Sequence, residues 1–197
     1  MTRATLSRTL AGLTAKRFES ASATLVCMAK SAIGVDAIGC APVWARMTAT
    51  FFGIGRLRPG PGTWASLATA LLWWLLERSI VPGWQWMAAV LLAGTAICLG
   101  IPAATKVARA AATKDPQIVV IDEVAGQLLA FVGVPISWKS LLLGFILFRG
   151  FDIVKPPPVR QLEQLPEGLG IVMDDVAAGL YALLIMQVLL HFRFLPR

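Results

Sequence analysis

Charged residues are scarce in this chain, and this scarcity limits the classes of protein to which it can belong. Of 197 residues only 15% are Asp, Glu, Lys or Arg, whereas 57% are hydrophobic, and the mean hydropathy is +0.71. Soluble domains are about one quarter charged and about half apolar. The composition therefore argues against an ordinary soluble domain and predicts an integral membrane protein, with a length that suits one domain of a few spanning helices.

Histidine and paired cysteines, the usual ligands of zinc, are also in short supply. The one histidine, His191, lies in the last apolar run, and the three cysteines, Cys27, Cys40 and Cys98, form no CxxC pair. This pattern argues against a zinc site. Histidine-dependent lipid phosphatases need two histidines, so we do not expect His191 to be catalytic.

Several membrane and phosphate chemistries leave motifs that are missing here. The chain has no D-x-x-D-G-x-x-A-R segment, as in phosphatidyltransferases of the CDP-alcohol type, and no Asp-x-Asp nucleophile after a strand, as in haloacid-dehalogenase phosphatases. The Gly/Pro loop at 53–63 is not a Walker loop, because no Gly-Lys-Ser/Thr follows it. No Ser or Cys is flanked by a base that could activate it.

The basic residues that are present cluster beside apolar runs. A net charge of +7 would suggest nucleic acid in a soluble protein. Here it predicts anionic lipid head groups and the positive-inside rule instead, with no nucleic-acid partner. We expect residues 1–46 to form a basic N-terminal arm, poorly ordered or associated with the membrane surface, and residues 47–197 to form the membrane domain.

Apolar runs separated by Gly/Pro turns predict an all-α, polytopic membrane bundle. Residues 84–101 carry no charge and are long enough to cross a hydrocarbon core of about 30 Å, whereas 102–117 are predicted as a surface helix and loop. We predict about four to five apolar helices, at 64–76, 84–101, 118–134, 140–151 and 176–192. With the basic arm in the cytoplasm, the motif loops all reach the cytoplasmic face. Tryptophans near Pro82 predict an interfacial belt: Trp73, Trp74, Trp84 and Trp86.

The stretch 148–160 organises the candidate chemistry. On a helix, Asp152 and Lys155 share a face because they are three residues apart. Pro156 has no N–H and disfavours helical geometry in the residue before it, so the helix should end near Val154 or Lys155. A carboxylate and a cation at a helix end beside lipid suit a phosphate-bearing substrate and its metal.

Two acidic pairs precede apolar helices and repeat one pattern, DEVAG at 122–126 and DDVAAG at 174–179. Acidic residues also stabilise the N-terminal end of a helix dipole, so ordinary helix caps are one interpretation. However, acidic residues at membrane depth are expensive and usually functional. Several carboxylates at one surface would repel one another unless a cation lay between them, and hard oxygen ligands suit Mg²⁺.

The Gly/Pro loop at 53–63 has two interpretations. Backbone N–H groups at a helix start bind phosphate, and Arg56 and Arg58 add positive charge. The alternative is a membrane-entry turn whose arginines obey the positive-inside rule.

Together the motifs resemble the phosphatidylglycerophosphatase A family. The similar segments are GIGRLRPGPGTWASLA at 53–68, IDEVAGQ at 121–127, FRGFDIVKPPPVRQLE at 148–163 and GLGIVMDDVAAGLYA at 168–182. The resemblance implies a Mg²⁺-dependent enzyme of the bacterial inner membrane that removes the terminal phosphate of phosphatidylglycerophosphate to give phosphatidylglycerol. The chain departs from the family pattern at Ala65, Val154, Pro157 and Glu163, and Arg56 and Arg58 make its Gly/Pro loop more basic than the family's often is.

Carried onto this chain, the resemblance implies two overlapping sets of site residues. The expected metal ligands are Asp122, Glu123, Asp152, Asp174 and Asp175. The expected catalytic residues are Asp152, Lys155, Asp175, Arg149 and Arg160. The residues leave open whether water attacks the phosphorus directly or an aspartyl-phosphate forms. Two other functions also stay open: a phosphatase of the same family acting on another phospholipid or a small phosphate ester, and a non-enzymatic ion relay.

Overall fold

The computed structural model describes residues 37–194, and this part of the chain is helical without any strand. The all-α prediction is therefore confirmed. Seven α-helices are numbered in chain order: α1 (Val43–Ala49), α2 (Pro61–Glu77), α3 (Gln85–Ala111), α4 (Ile121–Ala130), α5 (Trp138–Val154), α6 (Val159–Leu162) and α7 (Glu167–His191). Two 3₁₀ turns, Ala37–Cys40 and Ile54–Arg56, flank α1.

Two of the described helices are long and apolar enough to cross a membrane. These are α3, with 27 residues, and α7, with 25 residues. At about 1.5 Å per residue each exceeds a hydrocarbon core of about 30 Å. Leucines of α2 and α3 lie exposed on the outer surface of the bundle, as expected for a protein surrounded by lipid: Leu71, Leu75, Leu91 and Leu99.

Helix α3 runs through Pro102, which corrects the prediction that the span ends at Ile101 and a separate segment follows. A proline inside a helix costs about 3 kcal/mol because one backbone hydrogen bond is lost. The turns beyond it bury Ala103, Ala104 and Val107 completely. Burial against the rest of the bundle therefore keeps the helix continuous where the local rule predicts a break.

Helix α7 begins at Glu167 rather than near Val176, so the second acidic pair lies inside a helix. Asp174 and Asp175 were predicted to precede an apolar helix, but they occupy its third turn. The segment predicted as a polar loop, 156–170, also contains the single-turn helix α6. In contrast, Asp122 and Glu123 open α4 in its first turn, and this helix, Ile121–Ala130, is shorter than the predicted 118–134.

Helix α4 lies at the centre of the bundle and packs against α2, α3, α5 and α7. Its closest approach is to α7. A Cβ built on Gly179 would lie 2.4 Å from the carbonyl oxygen of Gly126, so both positions must lack a side chain. The glycines that follow the two acidic pairs therefore let their helices cross in contact, and the pairs come together.

Helix α5 has defined ends. Ser137 and Ser140 form a reciprocal capping box at its start, in which the backbone N–H of Ser137 donates to Ser140 Oγ at 2.7 Å. The helix ends at Val154, with Lys155 as its C-cap. The predicted end of this helix is confirmed, and Pro156 is its cause because it has no N–H to continue the ladder.

The predicted arm and the predicted aromatic belt meet different outcomes. Residues 1–36 of the arm lie outside the described residues. The rest of the arm packs on the bundle, because Ala41 and Ala45 are buried and α1 contacts α3. Trp84 and Trp86 are exposed as a belt requires, but Trp73 is only 1% exposed. The belt interpretation is wrong for Trp73, which packs into the hydrophobic core.

Candidate active site

The structure brings four separate motif segments to one end of the bundle. Helices α2 and α4 begin there, α5 ends there, and α7 passes through. A cavity of about 110 Å³ lies between them. Its chemically reactive lining is acidic and basic: Lys114, Asp115, Asp122, Glu123, Asp152, Lys155, Glu163, Asp174 and Asp175.

Three carboxylates form the inner wall of this cavity. Oxygens of Asp122, Glu123 and Asp175 all lie within 4.8 Å of one another. One oxygen of each residue is buried without a hydrogen-bond partner, namely Asp122 Oδ1, Glu123 Oε2 and Asp175 Oδ2. Buried polar atoms without a partner are costly, and like charges at this distance repel. A divalent cation with oxygen ligands fits this set, because it would satisfy the three orphan oxygens and offset their repulsion.

Asp152 reaches the same cavity paired with a cation. Arg149 Nη1 lies 2.5 Å from Asp152 Oδ2, one turn along α5. The same nitrogen lies 3.8 Å from Glu123 Oε1 on α4. Arg149 therefore bridges two motif segments and places positive charge beside the orphan oxygens.

Lys155 forms a second cationic point at the cavity. Its Nζ donates to Asp174 Oδ2 at 2.7 Å and lies 3.2 Å from Glu163 Oε2. Burial alone would lower the pKa of Lys155, but the hydrogen bonds and charges of Asp174 and Glu163 outweigh it and raise that pKa. The two carboxylates therefore favour the charged form of this side chain.

The backbone of Lys155 is unusual at this point. With a φ of 47°, Lys155 occupies the left-handed region, which non-glycine residues seldom adopt. Such conformations persist where the surrounding structure determines them, and they cluster at functional sites. The turn at Pro156–Pro158 is anchored to α7, because Tyr181 OH donates to the carbonyl of Pro157 at 2.8 Å.

The Gly/Pro loop also reaches the site. A Cβ built on Gly62, in the first turn of α2, would lie 1.9 Å from Glu123 Oε1 and 3.1 Å from Arg149 Nη1. A larger residue here would have to displace the Glu123 carboxylate, so glycine lets the helix start contact both side chains. Arg56 and Arg58 are exposed and do not line the cavity.

Not every predicted residue lines the cavity, and some residues that do were missed. Arg149 and Arg160 are not among the lining residues: Arg149 contacts the lining residue Asp152, whereas Arg160 is exposed on α6. Glu163, Lys114 and Asp115 line the cavity but were not predicted as site residues. Glu163 follows the single-turn helix α6, which brings it back to 3.2 Å from Lys155.

The fold and the cavity define a membrane-type helical protein with a buried carboxylate cluster beside two ion-paired cations, an arrangement suited to phosphate and metal. The family model for Phosphatidylglycerophosphatase A matches residues 47–190. The chain belongs to the phosphatidylglycerophosphatase A family, and it is a phosphatase.

Curated relatives agree with this assignment. A Phosphatidylglycerophosphatase A of Haemophilus influenzae is 36% identical over 144 residues, covering 71% of this chain and 85% of the relative. One of Escherichia coli K12 is 31% identical over 147 residues, covering 74% and 83%. A protein of Bacteroides thetaiotaomicron, named provisionally as a phosphatidylinositol-3-phosphatase, is 36% identical over 145 residues, covering 71% and 89%. No solved structure matches the chain significantly.

Proposed function

We propose that this protein hydrolyses phosphatidylglycerophosphate to phosphatidylglycerol and phosphate, at a Mg²⁺-dependent site on the cytoplasmic face of a bacterial inner membrane. The observation that carries the proposal is the set of three orphan carboxylate oxygens, on Asp122, Glu123 and Asp175, flanked by Arg149 and Lys155. Family membership supports the substrate, since relatives named for it cover most of the chain.

Five carboxylates divide into two groups by their contacts. Asp122, Glu123 and Asp175 have free oxygens and would hold the metal. Asp152 and Asp174, which the family resemblance puts in the same set, are ion-paired with Arg149 and Lys155, and they would hold these cations beside the metal. Bound there, Mg²⁺ would supply positive charge to the phosphoryl oxygens and increase the acidity of a coordinated water.

The cations bind and orient the phosphate. Lys155 lines the cavity and Arg149 lies behind Asp152 and Glu123, and each cation is held in position by a carboxylate partner. Preorganised cations of this kind stabilise charge as it develops on the phosphoryl oxygens. Arg160, exposed on α6, meets the anionic head group at the mouth of the site.

Hydrolysis forms one bond and breaks one. The oxygen of water bonds to phosphorus as the bond between phosphorus and the glycerol oxygen breaks, and a proton from water ends on the glycerol hydroxyl. The carboxylates of Asp152 and Asp175 line the cavity where this proton is released, so either is within the site to accept it.

We further infer that α2 and α5 cross the membrane beside α3 and α7, which gives four spans around the shorter α4. Exposed leucines along α2 support this arrangement. Basic residues at the active-site end include Arg56, Arg58, Lys106, Arg109 and Lys114, and the positive-inside rule then places that end in the cytoplasm.

Another phospholipid monoester is the second candidate substrate. Its support is the Bacteroides relative, which matches this chain as well as the Haemophilus protein does although its name specifies a different lipid phosphate. The two candidates share the site and differ in the head group.

The test is phosphate release in detergent from phosphatidylglycerophosphate, phosphatidylinositol-3-phosphate and a soluble phosphate monoester, with Mg²⁺ and after chelation. We expect phosphatidylglycerophosphate to be preferred, and chelation or Asp175→Asn to reduce its rate at least about a hundredfold. Glu77→Gln, at the far end of α2, is the matched carboxylate control and should retain the rate. A folded wild-type protein that releases no phosphate from phosphatidylglycerophosphate in Mg²⁺ would overturn the proposal.

A further inference from the structure

A second cavity, about 340 Å³ in volume, lies on the other side of α4 from the active site. It runs between α2, α3 and α4, and the turn after α1 closes one end. Its wall is almost entirely apolar, with Phe51, Leu72, Leu76, Leu92, Leu99 and Leu128 among its residues. We name this cavity the α2–α3 groove.

Two of the three threonine hydroxyls on its wall are already hydrogen-bonded, and the other polar groups there are Thr48 and the indole N–H of Trp73, which is buried without a partner among the described residues. Thr69 Oγ1 donates to the carbonyl of Ala65 at 2.8 Å, and Thr95 Oγ1 donates to that of Leu91 at 2.7 Å. Each hydroxyl is thus engaged within its own helix. Because almost all of the wall is apolar, a hydrocarbon is the ligand chemistry that it accepts at least cost.

The groove is elongated along the helices. On α4 it extends from Ile121 to Leu128, on α3 from Leu99 to Leu92, and on α2 from Thr69 to Leu76. Seven residue steps at about 1.5 Å each give a length of about 10 Å. Because α3 is long enough to cross a membrane, a ligand along this groove would run in the direction of lipid chains.

The groove and the active site meet at the start of α4. Ile121 lines the groove, and the next residue, Asp122, lines the catalytic cavity. Gly100 permits this approach, since a Cβ there would lie 3.1 Å from Ile121 Cγ2. A molecule with its phosphate ester in the catalytic cavity and a hydrocarbon chain in the groove would therefore pass over only the first turn of α4.

We propose that the α2–α3 groove is an acyl-chain subsite, which holds one fatty acyl chain of the lipid whose phosphate enters the active site. The inference rests on the proposed function for the identity of the head group. The subsite would make the length of the acyl chain part of substrate recognition. Only an acyl chain long enough to fill the groove gains the full free energy of apolar burial there.

Filling the groove tests the subsite. Thr95→Trp adds a large side chain to an exposed groove position of α3, and Cys98→Trp adds the same side chain to an exposed position of that helix outside the groove. The measured quantity is the ratio of kcat/KM for dioleoyl over dihexanoyl phosphatidylglycerophosphate. We expect Thr95→Trp to lower this ratio at least about tenfold, and Cys98→Trp to change it less than twofold.

The outcomes separate the two proposals. If wild type hydrolyses both substrates and Thr95→Trp and Cys98→Trp have the same ratio of kcat/KM values, the subsite is wrong and the proposed function stands. If wild type hydrolyses neither substrate, the proposed function is wrong, and photolabelling decides the subsite alone.

For photolabelling, the probe is phosphatidylglycerophosphate with a diazirine in the middle of one acyl chain. Label concentrated on the groove residues Leu72, Leu76, Leu92 and Leu99, and reduced by Thr95→Trp, supports the subsite. Label spread equally over outward residues such as Leu75 and Leu91 means bulk lipid contact only and overturns it.

Discussion

Gly126 and Gly179 touch through their backbones, and this contact sets the spacing of the two acidic pairs. A Cβ on Gly179 would lie 2.4 Å from Gly126 O, and one on Gly126 would lie 2.5 Å from Asp175 O. Each glycine follows its acidic pair by one helical turn. The crossing therefore holds the carboxylates of Asp122 and Asp175 close enough to bind one metal ion together.

Gly179→Ala should therefore damage the site through the backbone. We expect a loss of at least about tenfold in activity and a lower melting temperature in detergent, since α4 and α7 must move apart. Gly94→Ala is the matched control, because a Cβ on Gly94 meets nothing within 4 Å. That change should leave activity intact and stabilise α3 by up to about 1 kcal/mol. Full activity in Gly179→Ala would show that the crossing is not needed.

Removal of one orphan carboxylate should weaken metal binding more than it weakens the fold. Asp122→Asn keeps the side-chain shape but lowers the repulsion among Asp122, Glu123 and Asp175. We expect the metal-free variant to melt at or above the wild-type temperature. A ligand at about 100 times its Kd adds about 2.7 kcal/mol to the free energy of unfolding. Mg²⁺ should therefore raise the melting temperature of wild type and of Glu77→Gln far more than that of Asp122→Asn. Equal shifts would place the metal elsewhere.

The Lys155–Asp174 pair offers a double-mutant test. Lys155→Met leaves the buried Asp174 carboxylate without its partner, and we expect a stability loss of about 1–3 kcal/mol together with a fall in kcat of at least about a hundredfold. Adding Asp174→Asn should recover much of the stability because the orphan charge is gone, but activity should stay low. Recovery of both would mean that Lys155 serves the fold and not the reaction.

Two arginines from the same sequence motif should behave differently. Arg149 contacts Asp152 and approaches Glu123, whereas Arg160 is exposed on α6. We expect Arg149→Gln to reduce kcat at least about a hundredfold. Arg160→Gln should raise KM, with kcat changed less than threefold, because its contact is with the approaching head group. The two constants, measured on mixed micelles, give the comparison, and a large fall in kcat for Arg160→Gln would place this arginine at the phosphate.

Local chemistry determined which parts of the fold and site could be predicted. The end of α5 follows from the missing N–H of Pro156, and the two acidic pairs were recognisable as a repeated pattern beside apolar segments. The continuation of α3 past Pro102 could not be predicted, because burial of Ala103 and Val107 decides it. Glu163 was missed for a similar reason: its role depends on a fold that returns it to 3.2 Å from Lys155.

The length of α7 below Asp175 has a consequence for how the enzyme would meet its substrate. From Asp175 to His191 the helix extends about 24 Å, at about 1.5 Å per residue, close to the thickness of a hydrocarbon core of about 30 Å. If α7 spans the bilayer, the carboxylates lie at the level of the lipid head groups. A phosphorylated lipid can then be processed by lateral diffusion alone, without being lifted out of its leaflet.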